Sequence, residues 1–418
     1  MTISERAVRP VSAASGAVFR IGFGAVGLLL VMRFFANGWI RSLYIDPPHH
    51  FPYPGFEWVT PWPGGWMYAH FALIGLAAIG IMIGYRYRLS AAVFALSMAY
   101  VELIDRSLYL NHYYWLVLTA AVMVFLPLES SFSIDARAGR ARSPGTLPSY
   151  VVWILRFQVG MVYFFAGLAK VNGDWLLRAE PLATWLPARS ETWLIGPLLT
   201  VPATAYVLAW AGAFFDLTVV GWLSWHRSRP YAYVVLVLFH FATWVLFPSI
   251  GLFPLVMSAA ALVFFEPNWP ERWMGVARPM LPSGSSPRLS PSGAALAAFY
   301  LLVMIALPLR HYALPGDVKW TGEGYLGSWQ VMLSEKAGSA DFLVTDPKTG
   351  DSWRVAPPEY LTERQRAVMA TDPVMIRQTA ELIASHLNGV EVAADVSVSF
   401  NGRPSSQFTD PSVVLARG

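Results

Sequence analysis

The sequence predicts a mainly α fold: a polytopic membrane helix bundle of about nine spans, followed by a small extracytoplasmic α+β domain. Two observations carry that expectation. Of 418 residues, 55% are hydrophobic and only 13% charged, and the aromatics, at 15% with 18 Trp, suit a chain lining membrane interfaces. The charge is also uneven. Residues 310–418 hold 10 Lys+Arg and 13 Asp+Glu, against 20 and 13 in residues 1–309. The chain therefore divides into an apolar body, 1–309, and a polar domain, 310–418.

A span needs about 20 mostly apolar residues, with shorter runs tolerated inside a bundle. The runs that qualify are Val18–Phe35, Trp66–Ile83, Leu89–Ile104, Tyr113–Leu128, Tyr150–Leu168, Ala205–Trp225, Tyr231–Phe247, Leu252–Phe265 and Ala294–Leu309. Connections around Asp105 and Pro248 are short, and merging either pair reduces the count to eight. With the N-terminus inside, the inner segments hold 12 arginines: Arg6, Arg9, Arg86, Arg88, Arg137, Arg140, Arg142, Arg227, Arg229, Arg272, Arg278 and Arg288. The outer segments hold 5 basic residues: Arg41, Arg106, Lys170, Arg178 and Arg189. That bias sets the N-terminus inside and the C-terminal domain outside the cytoplasm. The first apolar run, interrupted by Arg20 and Arg33, reads as an anchor rather than a cleaved signal.

No fixed-period repeat is visible, and Pro282–Gly293 is a Pro/Ser/Gly-rich loop before the last span. In the polar domain Tyr325–Leu333, Asp341–Thr345, Ser352–Val355 and Val390–Phe400 read as strands, with turns at Asp346–Gly350 and Asn401–Pro404. Thr362–His386 has helical spacing, broken near Thr371–Pro373. A small sheet with a covering helix is expected.

Several chemistries are excluded or poorly supported. Without cysteine there are no disulfides, thiolate nucleophiles or Cys-held metals. No His-x-x-x-His, phosphate-binding loop, dinucleotide fingerprint or Gly-x-Ser-x-Gly elbow is present. The adjacent His49 and His50 are badly placed to chelate one ion, so no metal is expected. A net charge of +4 calls for no nucleic-acid partner.

Ionisable residues at membrane depth are costly, which makes each a functional candidate. The first 309 residues hold 19 Arg but a single Lys, Lys170. Arginine cannot act as a base near neutral pH, whereas a desolvated lysine can. On a continuing helix Tyr163, Gly167 and Lys170 share one face, and Gly167 lets a bulky partner come close. A snorkelling lysine at a helix end has the same spacing. His112, after Asn111, opens the fourth span at the level of Lys170; a structural histidine bonded to a carbonyl is the alternative. Asp105 and Arg106 are neighbours able to pair with each other. Asp216 falls mid-span and needs a partner, for which His240 is a candidate, either in a site or as a buried pair holding two helices together. Arg20, Arg33, Glu102 and Arg156 have no suggestive spacing.

Several ordered segments resemble the vitamin K-dependent gamma-glutamyl carboxylase family, including its bacterial relatives with the horizontally transferred transmembrane domain. Ile104-Asp105-Arg106-Ser107-Leu108-Tyr109-Leu110-Asn111-His112-Tyr113 is similar to the family's Asp-Lys-Ser…Asn-His run. Val162-Tyr163-Phe164-Phe165-Ala166-Gly167-Leu168-Ala169-Lys170, with Asp174-Trp175, resembles Tyr-Phe-Ile-Ala-Gly-Val-Lys-Lys…Asp-Trp. Asp216-Leu217 matches Leu-Asp-Leu, and Phe239-His240…Ser249-Ile250-Gly251-Leu252-Phe253 matches Phe-His…Ser-Ile-Gly-Met-Phe. Gly327-Ser328-Trp329-Gln330-Val331-Met332 resembles a luminal Tyr-Ser-Trp-Asp-Met-Met. The likeness runs from about residue 15 to the end. The family's first lysine is Ala169 here, and the animal enzyme's cysteines are absent.

The resemblance implies gamma-carboxylation of protein glutamate coupled to epoxidation of reduced vitamin K, with O2 and CO2 as co-substrates. A bacterial inner-membrane relative would use a menaquinol, and its partners would be a Glu-containing protein or peptide and the bilayer. Lys170 matches the family's catalytic lysine, an unprotonated amine able to take a proton from a hydroquinone hydroxyl. Asn111 and His112 match its active-site Asn-His and would orient the quinone oxygen or the carbanion's carboxylate. Tyr163, Gly167, Asp216 and His240 are expected around the quinol. Two other readings stay open: a quinol oxygenase that carboxylates no protein, and a non-catalytic quinone- or lipid-binding membrane protein.

Overall fold

The computed structural model describes residues 3–141, 143–276 and 290–418. Arg142, Arg278, Arg288 and most of the Pro282–Gly293 loop lie outside the described residues. Each of the expected apolar runs contains a helix: α1 (Ala14–Ala36), α2 (Trp66–Ile83), α3 (Tyr87–Ile104), α4 (Asn111–Met123), α5 (Ser149–Lys170), α6 (Pro202–Ser224), α7 (Arg229–Leu246), α8 (Phe253–Ala260, continued by a 3-10 turn to Phe264) and α9 (Pro291–Leu309). Among the described residues, seven are long and apolar enough to cross a membrane. The chain is thus an integral membrane protein. The shorter two are α4, at 13 residues, and α8, at 8. Pro127 follows the end of α4, and Pro248 with Gly251 (φ +67°) delays the start of α8, since proline disfavours a helix interior and Gly251 takes a left-handed backbone.

Short as they are, α4 and α8 run between the same two faces as the long helices. One face gathers the N-terminal strand β1 (Pro10–Ser12), which pairs antiparallel with β2 (Thr146–Pro148). The far end of α8 joins it there, where Ser15 N donates to Pro267 O at 3.0 Å. Ser12 Oγ bonds Glu271 at 2.8 Å on the same face. The opposite face carries the starts of α4 and α8, the end of α5 and the polar domain.

Two of the arginines without suggestive spacing are fasteners. Helix ends leave carbonyls without partners, and a buried guanidinium offers five donors to satisfy them. Arg20 binds the carbonyls of Leu128 (3.1 Å), Ile81 (2.5 Å), Met82 (2.6 Å) and Phe132 (2.7 Å). Arg156 binds those of Val263, Phe264 and Phe265 at 2.9–3.1 Å, tying α5 to the end of α8.

In the polar domain β3 (Lys336–Thr345), β4 (Ser352–Val355), β5 (Glu391–Phe400), β6 (Ser406–Gln407) and β7 (Val414–Arg417) form an antiparallel sheet ordered β4-β3-β5-β6, with β7 also on β5. Helices α10 (Glu363–Met369) and α11 (Pro373–Leu387) cover it. The Thr362–Gln365 capping box starts α10, and Asp372 accepts from Val374 N and Met375 N to start α11. The break between them falls at Thr371–Pro373, as the spacing indicates. Tyr325–Leu333 is not a strand: Gly324, Gly327, Trp329 and Met332 all have positive φ, so the segment curls. Its apolar side chains are buried by the bundle instead. Trp329 is fully buried, its ring 5.4 Å from Tyr114.

The bundle contributes to the polar domain's core in turn. Phe51, in the loop between α1 and α2, packs fully buried among Phe342, Val344, Met375, Ile376 and Val392. Arg106 N donates to Phe51 O at 2.8 Å, and Gln378 Nε2 to Pro52 O at 2.9 Å.

Candidate functional site

Small residues let helices approach, and α5 and α6 meet closely at Gly167. A Cβ there would fall 2.8 Å from Leu217 N and 3.0 Å from Asp216 C. Gly167 therefore sets a helix contact, and the partner it admits is the backbone of α6. One turn on, that approach brings Lys170 Nζ to 2.8 Å from Asp216 Oδ2, with both side chains under 10% exposed. Lys170 Nζ also lies 3.3 Å from Ala166 O and 5.1 Å from the Trp175 ring. Asp216 thus pairs with Lys170 rather than with His240. The expected partner was wrong because helices apolar all round do not reveal which way each residue faces.

His240 pairs instead with Tyr163, Oη to Nε2 at 2.7 Å, and both are buried. The other ring nitrogen of His240, Nδ1, is buried without a hydrogen bond among the described residues. Tyr163, Lys170, Asp216 and His240 line one cavity of about 140 Å³, walled by apolar and aromatic side chains. It holds two polar pairs in an otherwise apolar chamber. Sequence reasoning missed most of the wall: Trp175, Trp185, Phe239, Phe247 and Phe253, with Val331 and Met332 from the polar domain. The aromatic content of these runs was visible, but not which rings turn inward.

Asn111 and His112 do not line that cavity. Asn111 Oδ1 accepts from Tyr109 Oη at 3.0 Å, and Tyr109 Oη accepts from Gly327 N at 2.8 Å, so Asn111 faces the polar domain. His112 is buried with its ring 6.3 Å from that of Phe253, a cavity residue. Asp105 and Arg106 do not pair with each other. Asp105 accepts from Ser107 N and Gln365 Nε2, each at 2.9 Å, and lies 3.3 Å from His50 Nδ1, while Arg106 binds Asp372 at 2.8 Å.

One rim of the cavity is pinned to the polar domain. Asp174, just past Lys170, accepts from Asn401 Nδ2 at 3.0 Å and Arg403 Nη1 at 2.9 Å. The Arg403 bonds hold its carboxyl below the ordinary aspartate value. Trp185 Nε1 donates to Glu335. These ties keep Val331 and Met332 in place as part of the wall.

Two family models match the chain, one after the other. Residues 8–269 match the family model described as HTTM domain. Residues 290–418, which include α9, match that described as vitamin K-dependent gamma-carboxylase, lumenal domain. No solved structure matches the chain.

Proposed function

The chain belongs to the HTTM-domain family and carries the lumenal domain of the vitamin K-dependent gamma-carboxylases, and on that premise we propose that it gamma-carboxylates protein-bound glutamate, coupled to epoxidation of a quinol. The observation that carries this reading is the buried Lys170–Asp216 pair facing the same apolar cavity as Tyr163–His240. Its donor set suits a hydroquinone. Lys170 and Asp216 would hold one hydroxyl, Tyr163 and His240 would orient the ring, and the aromatic wall would take the ring faces. Reduced vitamin K or a menaquinol, when bound, supplies with O2 a base strong enough to remove a proton from carbon. CO2 is the second co-substrate. No metal is invoked.

Lys170 acts as the proton acceptor for the hydroxyl. As an ammonium it cannot, but moving its proton to Asp216 Oδ2 across 2.8 Å leaves a neutral amine. The apolar wall keeps water from the reacting centre. His112 would steady the glutamyl carboxylate, and Asn111, through Tyr109, would hold the polar domain against the site. Residues 1–309 then form the catalytic bundle and 310–418 present the Glu-containing peptide. The alternation of helices between two faces and the basic bias support a bacterial plasma-membrane protein with that domain outside.

A second reading, quinol oxygenation without carboxylation, is favoured by the position of Asn111 and His112 away from the cavity. One assay separates the two. Purified protein in detergent receives chemically reduced vitamin K, a Glu-containing peptide and labelled bicarbonate, with Lys170→Ala alongside. Epoxide and acid-stable label in the peptide are expected from the wild type, and both should fall by about 10²–10⁴-fold in Lys170→Ala. Epoxide without label would establish the second reading. Full activity in Lys170→Ala would remove the lysine's assigned role.

A further inference from the structure

Helices α6 and α7 follow each other through a short turn and run antiparallel. Phe215 of α6 stacks on Phe239 of α7, the ring centroids 4.2 Å apart. Counting outward from that stack sets Gly212 opposite Ala242, one helical turn on, and Leu208 opposite Leu246. All four line the Lys170 cavity. The two helices do not touch at the small pair. Outside its own helix, a Cβ on Gly212 would find among the described residues only Trp175 Cζ2 within 4 Å, at 3.8 Å. Gly167 is the contrast, since a Cβ there falls 2.8 Å from the α6 backbone. Ala242 belongs to the cavity wall and is also exposed at the surface of the molecule. That surface is apolar on both helices: Phe241 and Trp244 of α7, and Trp210 and Phe214 of α6, are each more than half exposed. On two membrane-spanning helices, side chains of this kind face hydrocarbon.

We infer that the seam between α6 and α7 is a membrane-side window for the apolar chain of the quinol, held open by Gly212 and Ala242, an inference that rests on the function proposed above. A cavity of about 140 Å³ takes the fused ring of a naphthoquinol but not the long prenyl or phytyl chain attached to it. The chain has to leave through the wall, and at Ala242 the wall opens onto hydrocarbon. A chain that stays in the bilayer brings no apolar surface into water. The ring then lies beside the polar pairs, since Asp216 is one turn from Gly212 on α6 and His240 precedes Ala242 on α7. The rim walled by Val331 and Met332 is left free for the glutamyl peptide.

The first test locates the chain directly and needs no turnover. Wild-type protein in lipid nanodiscs receives a naphthoquinone carrying a diazirine on its chain, is irradiated, and the labelled residues are mapped by mass spectrometry. Label is expected at Leu208, Gly212 and Ala242, and about a tenfold excess of phylloquinone should suppress it about tenfold. Label confined to Trp210, Phe214, Phe241 and Trp244, and not suppressed, would mean that the probe is merely dissolved in the bilayer and would overturn the window. Suppressible label at Trp185, Val331 or Met332 would overturn it too, because the chain would then leave by the rim at the polar domain. The second test narrows the window from either side with Ala242→Trp and Gly212→Leu. Epoxide formation is followed with phylloquinol and with dimethylnaphthoquinol, which carries a methyl group in place of the chain. The ratio of kcat/KM for the first to that for the second should fall by at least about fivefold in each variant. A general loss of folding or catalysis leaves that ratio unchanged, and an unchanged ratio in both variants would overturn the window. If the wild type epoxidises neither quinol, the proposed function fails, and the photolabelling alone decides on the window.

Discussion

The Lys170–Asp216 pair is buried at both ends, so its two members can be told apart by removing one or both. Asp216→Ala leaves an ammonium in an apolar wall and should cost about 3–5 kcal/mol, read as a lowered melting temperature in detergent. The double variant Lys170→Met/Asp216→Leu should recover most of that stability while remaining inactive, because a well-packed apolar pair replaces the ions. Equal stability of Asp216→Ala and wild type would show that the lysine finds another partner. Lys170 was legible in the sequence because it is the single lysine among the first 309 residues. Asp216 was legible through its depth in a span. Their union was not, and neither were the separate partners of Asp105 and Arg106. Adjacent residues in a loop can point in opposite directions, and a uniformly apolar helix hides its rotation.

For the elements, the decisive contact is the one between α5 and α6. Gly167→Leu would drive a side chain into the backbone at Asp216–Leu217, where the clearance for a Cβ is already 2.8 Å. The overpacked contact should cost about 1–3 kcal/mol and part Lys170 from Asp216. Proton uptake from the quinol should fall with it, while Gly167→Ala should fall between the two. Epoxide formation in the leucine variant at the wild-type rate would argue that the 2.8 Å ion pair is not needed for the chemistry. The helices themselves were readable from long apolar runs. The shortness of α4 and α8 was less so, because a run of apolar residues continues through the proline and glycine that end or delay the helix. Arg20 and Arg156 showed no pattern along the chain, since their partners are carbonyls supplied by distant helix ends.

Across the whole molecule, bundle and polar domain exchange parts. The loop between α1 and α2 places Phe51 in the domain's core, and the domain returns Val331 and Met332 to the wall of the bundle's cavity. Phe51→Ala should therefore destabilise the polar domain by about 3–5 kcal/mol although the residue lies more than 250 positions away in sequence. Limited proteolysis should then cut within 310–418 before the bundle. Unaltered proteolysis would mean that the domain's core is complete without the loop.

The sequence by itself determined that the chain is a membrane bundle with a small mixed domain, where its helices fall and which ionisable residues deserve notice. Those properties follow from local composition and spacing, because transfer from water to lipid is paid residue by residue. Only the tertiary structure decided that Lys170 binds Asp216, that Tyr163 binds His240, that Asn111 and His112 stand off the cavity, and that Tyr325–Leu333 curls into the bundle. Each depends on the rotation and approach of packed segments, and packing joins residues that no local pattern brings together.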